Sequence, residues 1–118
     1  MIAYKRSLME TKSKADTFIG FAMRAGKYKI GAGAVGTLKK AHVIIVCETA
    51  AENSVKEALK LARRLHAKLF KTNGIKLEDI THRENAKIMA LTDHALSKAF
   101  CENAENEFIE IEQENNNG

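Results

Sequence analysis

Apolar positions recur first with the period of a helix and then gather into an unbroken run. Ala15, Phe18, Ile19, Ala22 and Met23 fall at i, i+3, i+4, i+7 and i+8, one stripe of a helix. Ser13-Lys14-Ala15-Asp16 resembles a capping box that opens it, and Gly26 closes it by taking a left-handed conformation. Tyr28-Lys29-Ile30 predicts a short strand. Val43 to Cys47 is a β-branched run without alternation, which predicts a strand covered on both faces at the centre of a sheet. Thr49-Ala50-Ala51-Glu52 has the form of a second capping box, with Val55, Ala58, Leu59, Ala62 and Leu65 on one face of the helix it opens. His66 continues that face and is expected to pack there, while Lys56, Lys60, Arg63 and Arg64 ride the others. Lys68 to Lys71 predicts a strand, Asn73-Gly74 a turn, Leu77 to Ile80 one or two helical turns, and Ile88 to Leu91 a final strand. Asp93 caps a last helix through Ala95, Leu96, Ala99 and Phe100.

Helices alternating with strands call for a sheet between helix layers. The fold class expected is α/β, a three-layer α/β/α sandwich with a mixed sheet of about four strands. A chain of 118 residues suits one hydrophobic core. The pattern divides it into a flexible basic arm at 1–12, a single domain at 13–101 and an acidic tail at 102–118. The tail has too little apolar content to guarantee order, although Phe108, Ile109 and Ile111 could dock.

Charge separates along the same boundary. Residues 1–101 hold all 19 Lys and Arg against nine acids, a net +10, whereas residues 102–118 hold six Glu and no base. A compact body this basic attracts polyanions, which makes nucleic acid the first partner class. No apolar run reaches the roughly 18 residues of a membrane helix, so no membrane partner is expected. The opening MIAYKRSLMETKSK lacks the apolar core of a secretory signal, and a cytoplasmic location is the expectation. Cys47 and Cys101 show neither CxxC spacing nor the density of a disulfide scaffold, and Cys47 reads as a buried structural thiol. His42, His66, His82 and His94 share no metal-ligand spacing, so no metal and no cofactor are expected.

Gly31-Ala32-Gly33-Ala34-Val35-Gly36 matches GxGxxG after a predicted strand, with Glu48 at the end of the next one. The fingerprint needs a βαβ unit of about 30 residues, and the span from Tyr28 to Cys47 is too short for a crossover helix. What such a loop offers instead is bare backbone amides, because glycine removes the side chains that would hold a phosphate away. Lys27, Lys29, Lys39 and Lys40 flank it in sequence. The polar segment His82, Arg83, Glu84 and Asn85, before the last strand, reads equally as a solvated connection or a binding rim.

Three blocks carry a family resemblance. Ile19-Gly20-Phe21-Ala22-Met23-Arg24-Ala25-Gly26-Lys27, followed by Ile30-Gly31, resembles the LGLAMRAGK…TG opening of small bacterial proteins of the ribosomal protein L-seven-Ae / L-thirty-e superfamily, the YlxQ-like branch. Val43 to Asn53 is similar to that family's LVLIAEDASEN, and Ile88 to Asp93 to its VLAVTD. The resemblance implies an α/β/α sandwich without enzyme activity that binds RNA kink-turns, and association with ribosomes and a monomeric state are expected alongside. It implies that the turn after Gly31 enters the RNA groove and that the loop at His82, Arg83 and Asn85 meets a flipped-out base, where an imidazole or guanidinium plane can stack. The RNA-binding set on this reading is Lys27, Lys29, Gly31, Ala32, Gly33, Ala34, Gly36, Thr37, Lys39, Lys40, His82, Arg83 and Asn85. The family's polar guanine-reading positions hold Gly33, Ala34 and Thr37 here. Alanine and glycine supply none of the roughly 1–3 kcal/mol that a bidentate side-chain contact contributes to base discrimination. Two alternatives stay open: a protein-interaction module that has kept the fold but lost kink-turn specificity, and a small nucleotide-binding enzyme using GAGAVG.

Overall fold

The computed structural model describes residues 14–112. The expected basic arm at 1–12, the expected cap Ser13 and the last six residues of the chain lie outside them. In chain order the elements are α1 (Lys14–Arg24), β1 (Tyr28–Ile30), α2 (Ala32–Gly36), β2 (Val43–Val46), α3 (Glu52–Leu65), β3 (Lys68–Thr72), α4 (Leu77–Thr81), β4 (Ile88–Leu91), α5 (His94–Asn103) and β5 (Phe108–Ile111).

The five strands form one mixed sheet in the order β1-β4-β2-β3-β5. Only β2 and β3 run parallel, joined by α3, while β4 is antiparallel to both its neighbours and β5 to β3. The β-branched run of β2 takes the central place, and all four of its residues are buried. Its side chains alternate between layers. Val43, Ile45 and Cys47 join Ala15, Ile19 and Ala22 of α1 and Phe100 of α5 on one face. Ile44 and Val46 join Val35 of α2 and Ala58, Leu61, Ala62 and Leu65 of α3 on the other. This is the expected α/β/α sandwich, with five strands where about four were predicted.

The additional strand comes from the acidic tail. Helix α5 runs past the predicted boundary to Asn103, and β5 then pairs Phe108 with Thr72 and Ile111 with Leu69. Phe108 is 3% exposed, and its ring meets Phe100 edge-on at 5.0 Å, which in turn meets Phe70 at 5.1 Å. One buried aromatic and a ladder along β3 are enough to order a segment whose composition does not predict order.

Two local predictions fail for identifiable reasons. The Thr49–Glu52 capping box does not form: α3 opens at Glu52 with Ala51 as N-cap and no side-chain cap bond. The Thr49 hydroxyl is instead engaged by Lys87 at 2.8 Å and lies 3.2 Å from the Cys47 thiol. His66 is exposed, because it ends α3 in the left-handed conformation at φ 56, with Ala67 N–H returning to Ala62 C=O. That is the geometry of a Schellman cap, more often made by glycine, and it turns the side chain off the helix face. At Gly26, φ 71, the same motif closes α1 as predicted.

Candidate nucleic-acid interface

Strand β1 leaves the sheet at Gly31, whose N–H donates to Ile88 C=O at 2.8 Å. Gly31 has φ 99 and ψ 144, a region essentially confined to glycine. Its carbonyl accepts the first bond of α2 from Val35 N–H at 2.9 Å. The amides of Ala32, Gly33 and Ala34 therefore precede the helical ladder and have no acceptor within it. A Cβ built on Gly33 or Gly36 meets nothing within 4 Å, so this turn faces open space. Thr37 closes α2, its hydroxyl donating to Ala34 C=O at 2.7 Å.

The connection from α4 to β4 enters the sheet at the same end, since β4 begins at Ile88, directly after Lys87. His82 ends α4 in the left-handed conformation at φ 59, and Asn85 repeats it at φ 58. Both side chains are exposed. Arg83 reaches back over β1, donating to the Tyr28 hydroxyl at 2.8 Å with its guanidinium 5.8 Å from the ring centroid. Lys87 fixes the base of the loop through Glu78 at 2.7 Å and Thr49 at 2.8 Å. This hydrogen bond holds the Glu78 carboxyl below its ordinary range and the Lys87 ammonium above its own. Cys47, buried beneath, accepts from Leu77 N–H at 3.4 Å and donates to Glu78 at 3.7 Å. Thr49, Lys76, Glu78, Asp79, Glu84, Asn85 and Lys87 line a groove of about 440 Å³ here.

The flanking lysines do not join this site. Lys27 C=O accepts from Thr92 N–H and His42 N–H donates to Leu91 C=O, so both segments enter the sheet at the far end of β4. Lys27, Lys39 and Lys40 thus stand beyond one end of β4, with Gly31 to Ala34 and His82 to Asn85 at the other. Strand rise over the intervening residues puts the two groups about 15 Å apart. The expectation that lysines and glycine amides surround one loop is corrected by topology: β1 and α2 carry the chain up the sheet and back, converting nearness in sequence into opposite ends. Lys29 pairs with Ala90 in the middle of β1, on the face covered by α2 and α3, and is exposed at the sheet edge.

The GxGxxG segment is likewise resolved by topology. The segment forms a helix of only five residues, and β4 lies between β1 and β2, so no βαβ crossover follows the glycines. No family model matches this chain, and no curated protein matches it. Among the described residues no group of three or more His, Cys, Asp or Glu could hold a metal ion, and no helix is long and apolar enough to cross a membrane.

Sequence reasoning missed the Tyr28–Arg83 contact, the Cys47–Thr49–Glu78–Lys87 cluster, and the meeting of His42 with His94, whose rings stack edge-on at 5.3 Å. Each joins residues distant along the chain, and no spacing signals them.

Proposed function

We propose that this is a non-catalytic RNA-binding protein of the kink-turn-binding kind, gripping structured RNA with the Gly31–Ala34 turn and the His82–Asn85 loop. One observation carries the reading: two segments far apart in sequence, each assigned to RNA by the resemblance, flank the same end of β4. Backbone amides at the turn would meet phosphates, giving affinity and register, and the exposed His82 and Arg83 planes would meet an unstacked base. Without polar side chains at Gly33 and Ala34, preference for the kink-turn would rest on shape and backbone contacts.

The test is binding to a labelled kink-turn RNA and to the same RNA with its sheared G·A pairs replaced by Watson–Crick pairs, across a salt series. Preference for the kink-turn supports the proposal. Equal, steeply salt-dependent binding to both would replace it with a generic polyanion surface. No binding to either would leave the sandwich as a protein-interaction module.

A further inference from the structure

The end of the sheet opposite the glycine turn carries the more one-sided charge. Lys27 precedes β1, Lys39 and Lys40 precede β2, and Arg64 lies in the last turn of α3, which leads into β3 at this same end. Arg64 donates to Gly36 C=O at 2.9 Å and Leu38 C=O at 3.3 Å, pinning the stretch that presents Lys39 and Lys40 without neutralising it. All four side chains are exposed. The ion pairs among the described residues are Lys68–Glu110, Lys87–Glu78 and Lys98–Glu102, and none takes up any of these four. The carboxylates at this end are Asp93, which accepts from Leu96 N–H at 2.8 Å, Glu110, which faces Lys68, and Glu112, which follows β5 opposite Lys68; none is ion-paired with these four among the described residues. Between the lysines lies the His42–His94 pair. Burial, then His94, then Lys40 hold the His42 imidazole below its ordinary range, against the pull of Asp93. The glycine-turn end, by contrast, sets Glu78, Asp79 and Glu84 against Lys76 and Lys87 around its groove.

We infer that this opposite end is a second RNA contact, in which Lys27, Lys39, Lys40 and Arg64 hold a phosphate backbone beside the His42–His94 pair, so that one molecule bridges two RNA segments. The inference rests on the RNA reading above but assigns a surface that the resemblance does not. A group of exposed cations without ion-pair partners among the described residues fits a polyanion, and its contacts are backbone contacts that carry no base sequence. The two ends lie about 15 Å apart along the strands, too far for one phosphate group.

The experiment uses two RNAs, a donor-labelled kink-turn and an acceptor-labelled short duplex of unrelated sequence, and reads energy transfer on adding the full chain. Wild type is expected to give transfer that K39Q/K40Q abolishes, while K39Q/K40Q keeps kink-turn binding and its melting temperature. Duplex affinity should fall on the order of tenfold near physiological salt, and the slope of log K against log salt should shrink by roughly 1.5, about 0.7–0.9 for each lost phosphate contact. R83Q, at the other end, should instead weaken the kink-turn and spare the duplex. Transfer unchanged in K39Q/K40Q, or a wild type that binds the kink-turn and never holds a second RNA, overturns the inference and leaves the proposed function standing. A wild type that binds neither RNA overturns both.

Discussion

Truncating Phe108 tests whether the acidic tail belongs to the fold. A phenylalanine side chain buries roughly 150–250 Å², and Phe108 is 3% exposed, so at about 25 cal/mol per Å² its transfer term is about 4–6 kcal/mol. Alanine retains about 1 kcal/mol of this, and the compactness of real unfolded chains removes a further tenth to a third. The edge-on contact with Phe100 and the cavity left beside it add back on the order of 1 kcal/mol. Phe108→Ala should therefore destabilise by about 3–5 kcal/mol. Ile109, the next residue, is 50% exposed and pairs with Lys71, so Ile109→Ala should cost below about 1 kcal/mol.

For a domain of about 100 residues each kcal/mol moves Tm by roughly 4–8 °C, so Phe108→Ala should lower Tm by at least about 12 °C and Ile109→Ala by a few degrees. Urea denaturation read by circular dichroism gives both values, and an unchanged m value would confirm that stability alone has moved. Equal, small effects from the two substitutions would refute the reasoning, because β5 would then not be docked in solution.

Gly31→Ala should cost at least about 1–2 kcal/mol from strain at φ 99, whereas Gly33→Ala, with ordinary dihedrals and open space for a Cβ, should be neutral or stabilise α2 by up to about 1 kcal/mol; thermal melts distinguish them. Gly33→Asn with Ala34→Glu should raise discrimination between the kink-turn and its Watson–Crick control by about 5- to 150-fold if guanine readers alone are missing, measured by fluorescence anisotropy. Because the Glu78 carboxyl titrates below its ordinary value, the Lys87 pair stabilises the fold above about pH 4.5 and is lost as pH falls through the lowered value. Melts of wild type and Glu78→Gln should consequently converge in acid. His42 has the opposite bias: neutral imidazole is favoured in the fold, so stability should drop as pH falls below about 6.5 and level off beneath the lowered value. His42→Asn should flatten that change in a pH series of melts, with His94, Lys40 and Asp93 left in place.

The legible parts of the fold were those where one residue pattern had one physical cause. Val43 to Val46 must be covered on both faces, and the strand is central; Ala15, Ile19 and Ala22 form a stripe, and all three are buried. Strand β5 was not legible because an edge strand needs little: Phe108 is buried, Ile109 and Glu110 are exposed, and the surrounding glutamates dominate the composition. Thr49 shows the reverse failure, a correct local pattern overridden when Lys87, from the far side of the chain, takes its hydroxyl.

The candidate site was half legible for a topological reason. Gly31 and the segment after α4 could be singled out by their residue types, but only strand order tells that β4 separates β1 from β2 and brings both segments to one end. Reading Lys27, Lys39 and Lys40 as partners of the glycine turn assumed that a short stretch of chain stays in one place. A three-residue strand followed by a five-residue helix and residues 37–42 running back is enough to break that assumption, because together they carry the backbone along the strands and return it to the other end. Charge counted along a sequence window thus says how much positive field the domain has, and the order of the strands says where it acts. Arg64 makes the point from the other direction: remote in sequence from Lys39 and Lys40, it holds the carbonyls just before them, and neutralising it should loosen that presentation as well as remove a cation.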